Sequence, residues 1–119
     1  MSIWASAEIT PEGDWYQTTN TFMSETLEIA NDEQGYFMTD RSTYITLKDE
    51  INLTVLVEGD PVLINHYHAI AVNPAKNPNV NYELAADFIE YLSSTEGQTI
   101  IAEFGTNEYS EALYYPCTQ

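Results

Sequence analysis

Apolar positions in this chain alternate between helical spacing and short β-branched runs. Met23, Leu27 and Ala30 recur at i, i+4 and i+7 while Glu25, Glu28 and Asp32 take other faces. That spacing predicts a helix from Asn20, with Gly35 placed to end it. Residues 36–39 read as a short aromatic strand, and Asp40 stands where an N-cap would open a helix over 41–48. The run at 53–57 is β-branched and bounded by Asn52 and the turn-forming Glu58, Gly59, Asp60 and Pro61, which predicts a buried strand. Residues 62–64 and 67–72 read as two further strands, closed by Asn73 and Pro74. The proline-flanked segment 74–78 reads as a surface loop.

Asn81 is the next N-cap, and Leu84, Ala85, Phe88, Ile89 and Leu92 form an apolar stripe down a helix to about Ser94. Thr95 with Gln98 three residues on has capping-box spacing for a second helix, which carries Ile100, Ile101 and Phe104 and stops at Gly105. Beyond Thr106 the periodicity dissolves, and 113–116 reads as an extended strip against a helix or an edge. Residues 1–19 are turn-rich, with Trp4 and Trp15 expected to cover core edges. Helices alternating with strands predict an α/β layered fold.

Composition narrows what such a fold could do. The 119 residues suit a single domain, 1–119, and 44% apolar content supports a core. Nineteen acids against three Lys plus Arg give a net charge of −16. This argues against nucleic acid and anionic membrane surfaces as partners, since both reward basic residues. An acid excess of this size also suits a surface adapted to high salt, where screening relieves self-repulsion. Cys117 is the one cysteine and has no internal disulfide partner. Neither a charged-then-apolar leader nor a run of about 18 apolar residues occurs, so no membrane insertion is expected.

Against that background the only arginine, Arg41, stands out. Thr39, Arg41, Ser42 and Thr43 place hydroxyl, guanidinium and amide donors at one strand-to-helix turn, a pattern suited to a tetrahedral oxyanion. The alternative at the same turn is that Asp40 caps the helix and Arg41 pairs with a nearby carboxylate, with nothing bound. His66 and His68, at i and i+2, share a face if 66–68 is a strand, and would ligate a transition metal with help from Asp60 or a carboxylate nearby. Acidic clusters lack a calcium-loop pattern. There is no nucleophile elbow and no phosphate-cradling glycine loop, so an enzyme is not expected.

Residues 35–44, Gly-Tyr-Phe-Met-Thr-Asp-Arg-Ser-Thr-Tyr, carry a resemblance that extends along the chain. With Val57 to Asp60, Ile64, Asn65 and Tyr67, Ala71 to Pro74, Asn79 to Ala85, Glu96 to Gln98 and the closing Tyr115 and Pro116, they resemble the C-terminal half of tungstate/molybdate-type ABC-transporter substrate-binding proteins. The resemblance implies a type II periplasmic-binding-protein-like fold, this chain being the second lobe plus the helices returning to the first. It implies tungstate or molybdate as ligand, held by Thr39, Arg41, Ser42 and Thr43, a membrane ABC permease as partner, an extracytoplasmic location and no cofactor. Ser42 stands where that family commonly has glycine, which narrows close backbone approach.

The family's Thr/Ser-rich loop and its Gly-Asp-x-Ser-Gly-Thr-type loop do not occur in this sequence, so a fragment, a truncated relative or one chain of a complementing pair is expected. Return helices without a first lobe would expose Phe88, Leu92, Ile101 and Phe104, and such patches predict a homodimer or a complementing N-terminal half. The alternative function is a non-catalytic interaction domain derived from the same fold and acting through self-association or a partner chain.

Overall fold

The computed structural model describes residues 3–117. They divide into two compact units, 1–65 and 66–119. In the first, α1 (Ile3–Ser6) is a single turn. Trp4, Trp15 and Tyr16 pack edge to face beside it, with ring centroids 5.7–6.1 Å apart. Both tryptophans stay substantially exposed, so they border the core rather than fill it.

Helix α2 (Met23–Asp32) follows the predicted period but starts three residues later than Asn20. Its N-cap, Phe22, has no side-chain acceptor, and Thr26 Oγ1 instead donates back to the Phe22 carbonyl at 2.8 Å. The C-terminus closes through two bonds: Gln34 N–H to Asn31 O (3.2 Å) and Gly35 N–H to Ala30 O (2.8 Å). This is the paired 5→2 and 6→1 pattern of a Schellman end. Gln34, at φ +54°, takes the left-handed position, so the expectation that Gly35 ends the helix is off by one residue.

Helix α3 (Arg41–Leu47) starts where Asp40 predicts it to. It packs on α2. Leu27 of α2 and Ile45 of α3, each 2% exposed, are the buried residues among those described in this unit. The Asn31 side chain accepts the Asn52 N–H at 2.7 Å, pinning the chain beyond α3 back to α2.

The second unit is built on α4 (Tyr82–Ser93) and α5 (Thr95–Glu103), which pack against each other. Asn81 caps α4 as expected, its Oδ1 accepting Leu84 N–H at 3.1 Å. The cap of α5 is Ser94 and not Thr95: Ser94 Oγ accepts Gly97 N–H at 3.2 Å and donates to Tyr91 O at 2.7 Å. One residue thus ends α4 and opens α5. The capping-box expectation fails because Gln98 sits one position too deep.

Gln98 does something else. Its Nε2 donates to Leu92 O at 2.6 Å and its Oε1 accepts Cys117 N–H at 2.7 Å, tying the tail to the α4–α5 joint. Gly97 is buried, and a Cβ there would lie 2.2 Å from Tyr91 O. The helices approach that closely only because position 97 has no side chain.

Gly105 (φ +90°) follows the end of α5, as expected, and leads into a helical turn, α6 (Thr106–Tyr109), which the periodicity does not signal. The strip after it returns along α5. Leu113 is buried and donates its N–H to Phe104 O at 3.0 Å, and the Tyr114 ring lies 6.0 Å from both Phe104 and Tyr67.

Among the described residues no strand is formed. Residues 36–39, 53–57 and 67–72 carry no regular secondary structure, and a 3₁₀ turn, Pro61–Leu63, replaces the short strand expected at 62–64. Its driver is local: Asp60 Oδ1 accepts Val62 N–H at 2.9 Å, and proline suits the first position. Leu53 is half-buried and 54–57 is exposed, so the burial expected of 53–57 is absent. A strand's hydrogen bonds come from a neighbouring strand, and β-branched composition alone cannot supply one.

Candidate functional site

The Arg41 turn is organised by Asp40, which sits in extended conformation one residue before α3. Its carboxylate receives three donors: Ser42 Oγ at 2.5 Å, Thr43 N–H at 2.8 Å and Thr43 Oγ1 at 2.9 Å. Burial by itself would raise the Asp40 pKa, but hydrogen bonds from Ser42 and Thr43 favour the charged form, and the group is held below its ordinary value of 3.8. Arg41 Nη1 lies 3.6 Å from Glu58 Oε2, with the two side chains 40% and 71% exposed. Thr39 Oγ1 is buried and makes no hydrogen bond among the described residues.

All four sequence-predicted residues therefore lie at one turn, in an internally neutralised arrangement. Ser42 and Thr43 converge on a carboxylate, and Arg41 has a carboxylate beside it. Chemically the turn is a cluster of anion-directed donors. Glu58 is the participant that sequence reasoning left unnamed. The sequence signals it as part of the turn Glu58, Gly59 and Asp60 and of the segment Val57 to Asp60 that carries the family resemblance, and neither says which side chain that turn faces.

His66 and His68 are exposed, and no strand holds their side chains to a common face. Among the described residues no three His, Cys, Asp or Glu side chains are grouped so as to hold a metal ion. Two depressions occur in the first unit. A polar cleft of about 250 Å³ between α2 and the end of α3 is lined by Glu28, Asn31, Asp32, Leu47, Glu50 and Ile51. A larger groove of about 940 Å³ is walled by Trp4, Trp15, Tyr16, Phe22, Met23 and Tyr36, among others.

Residues 2–96 match the PBP superfamily domain, and the chain belongs to that superfamily, with a periplasmic-binding-protein-like fold. Curated relatives are similar along most of the chain. The tungstate-binding protein TupA of Peptoclostridium acidaminophilum is 39% identical over 116 residues, covering 98% of this chain and 41% of that protein. The tungstate-binding protein TupA of Campylobacter jejuni is 38% identical over 108 residues, covering 87% of this chain and 40% of that protein.

A crystal structure of a functionally unknown protein from Vibrio parahaemolyticus aligns with TM-score 0.53 and 37% identity, over 85% of this chain and 43% of that one. The chain thus spans about two fifths of the length of the curated relatives it matches. Both relatives are named for binding rather than for a reaction. Among the described residues no helix is long and apolar enough to cross a membrane.

Proposed function

We propose that this chain is the C-terminal part of an extracytoplasmic substrate-binding component of an ABC transporter for a tetrahedral oxyanion such as tungstate or molybdate. The observation that carries the reading is the 39% identity to a tungstate-binding protein across 98% of the chain. The donor chemistry supports it. Arg41 supplies charge and a two-pronged set of N–H donors, and the Thr39 hydroxyl is a buried donor with no partner among the described residues; the Ser42 and Thr43 hydroxyls and the Thr43 amide are given to Asp40 and would serve an anion only in exchange for that contact. In this reading 1–119 is one domain, the α/β second lobe with its return helices, and the unladdered runs at 53–57 and 67–72 acquire strand partners from polypeptide outside this chain. A membrane permease is the partner that receives the ligand.

The net charge of −16 opposes a dianion at long range, and screening falls to about a 3 Å length at molar salt, so affinity should rise with ionic strength. Isothermal titration with tungstate, molybdate and sulfate, at low and at molar salt, tests the reading. Saturable tungstate binding that Arg41→Ala abolishes supports it, and equal affinity in the two chains rules out this turn as the site.

A second reading, a non-catalytic interaction domain of the same fold acting through self-association or a complementing chain, is favoured by a different observation. Phe88 on α4 and Phe104 just past α5 are more than half exposed, whereas Leu92 and Ile101, expected to be exposed with them, are half-buried; the aromatic groove of the first unit is open. Sedimentation across a concentration series separates the two: a monomer at every concentration removes self-association.

A further inference from the structure

We propose that Asn52 is the acceptor of an N-linked glycan, presented to an oligosaccharyltransferase by the folded surface of the first unit. The proposal goes beyond oxyanion transport, and its use in the cell rests on the extracytoplasmic location proposed above. Asn52, Leu53 and Thr54 form the Asn-x-Thr acceptor pattern, and no other asparagine of the chain has serine or threonine two positions on. An acid, Glu50, stands two positions ahead of Asn52, where bacterial transferases also read a carboxylate.

A pattern this short recurs by chance, so its placement decides whether it can serve. Asn52 and Thr54 are exposed, with Leu53 half-buried between them, and residues 51–60 carry no regular secondary structure. Neither a helix nor a ladder withholds this backbone from an enzyme's groove. The main chain at Asn52 is anchored, because its N–H is accepted by Asn31 Oδ1 at 2.7 Å. The side chains are not: among the described residues the Asn52 carboxamide and the Thr54 hydroxyl make no hydrogen bond. Asn31, Asn73 and Asn81 show the contrast, each spending its side-chain oxygen on a backbone N–H. Val55, Leu56 and Val57 are exposed as well, so the approach to Asn52 from its C-terminal side is open.

The group received would be an oligosaccharide carried on a polyprenyl pyrophosphate. Asn52 Nδ2 forms a bond to the anomeric carbon of the first sugar, the bond from that carbon to the pyrophosphate oxygen breaks, and the lipid pyrophosphate leaves with the bonding pair. Nδ2 gives one proton to a carboxylate of the transferase. The product is a secondary amide, and nothing is oxidised or reduced. Thr54 takes no part in the bond changes; its hydroxyl is the handle by which the transferase holds the acceptor.

The test uses the folded full chain, a single-subunit bacterial oligosaccharyltransferase and a polyprenyl pyrophosphate-linked oligosaccharide, followed by intact mass. The expected result is a gain of one glycan mass by the unaltered chain, slower gain by Glu50→Gln, and none by Asn52→Gln or Thr54→Val. Neither of the last two removes a hydrogen bond among the described residues, so both should keep the circular dichroism spectrum of the unaltered chain. The tryptic peptide from Asp49 to Lys76 serves as the unfolded acceptor. Addition to the peptide and not to the folded chain would overturn the claim that the surface presents Asn52, and addition to neither would overturn the acceptor itself. Both outcomes leave the oxyanion reading standing, since no oxyanion takes part, and equal tungstate affinity in Arg41→Ala leaves Asn52 untouched.

Discussion

Thr43 gives both its amide N–H and its hydroxyl to the carboxylate of Asp40, at 2.8 and 2.9 Å, so one residue anchors both oxygens of the helix cap. Ser42 adds a third donor. Asp40→Ala should cost about 2 kcal/mol, the upper end for losing an N-cap, because three donors lose their acceptor together. Asp40→Asn should cost less, since its carbonyl oxygen still accepts the Thr43 amide. Urea denaturation of the three chains orders them.

The same carboxylate gives the stability a pH signature. Its folded pKa lies below 3.8 because the Ser42 and Thr43 bonds outweigh the effect of burial, and an unfolded Asp40 takes up its proton first as pH falls. The contribution is therefore fully present above pH about 4 and is lost as pH drops through the lowered folded value. The stability gap between the unaltered chain and Asp40→Asn should be flat from pH 7 to about 4.5 and shrink below that. A gap that widened under acid would show that the carboxylate is not favoured by its surroundings.

Gly97 should be intolerant of any side chain. A Cβ there meets Tyr91 O at 2.2 Å and the Leu92 backbone at 3.0 Å, and neither is a flexible side-chain end that could swing aside. Gly97→Ala should lower stability by about 2–3 kcal/mol despite alanine's higher helix propensity. Hydrogen exchange offers a second view: the Cys117 amide, held by Gln98, should lose protection when α4 and α5 are forced apart.

Gln34 presents the reverse case. It holds the left-handed position of the α2 end at φ +54°, where a Cβ is strained. Gln34→Gly should stabilise by about 0.5–1 kcal/mol, while Gln34→Ala should not. Thermal midpoints of the two variants decide it, and an unchanged midpoint for the glycine variant would mean that local strain there is negligible.

Helix placement was legible in the sequence wherever the cause was local. Asp40 and Asn81 cap within three residues of their own position, and the stripes of α2, α4 and α5 need only a 3.6-residue period, so these elements lie close to where their residues predict. The candidate donors Thr39, Arg41, Ser42 and Thr43 were legible for the same reason, being consecutive around one cap.

The tertiary structure alone decided the rest. Ser94 rather than Thr95 caps α5 because it must also end α4. Gln98 serves the tail because Cys117, 19 residues on, comes back to it. Glu58 meets Arg41 from 17 residues away, a distance across which composition carries no instruction. The β-branched runs at 53–57 and 67–72 make the same point from the other side. A helix satisfies its backbone from its own turn, whereas a strand is satisfied only by another segment, and no sequence window contains that partner.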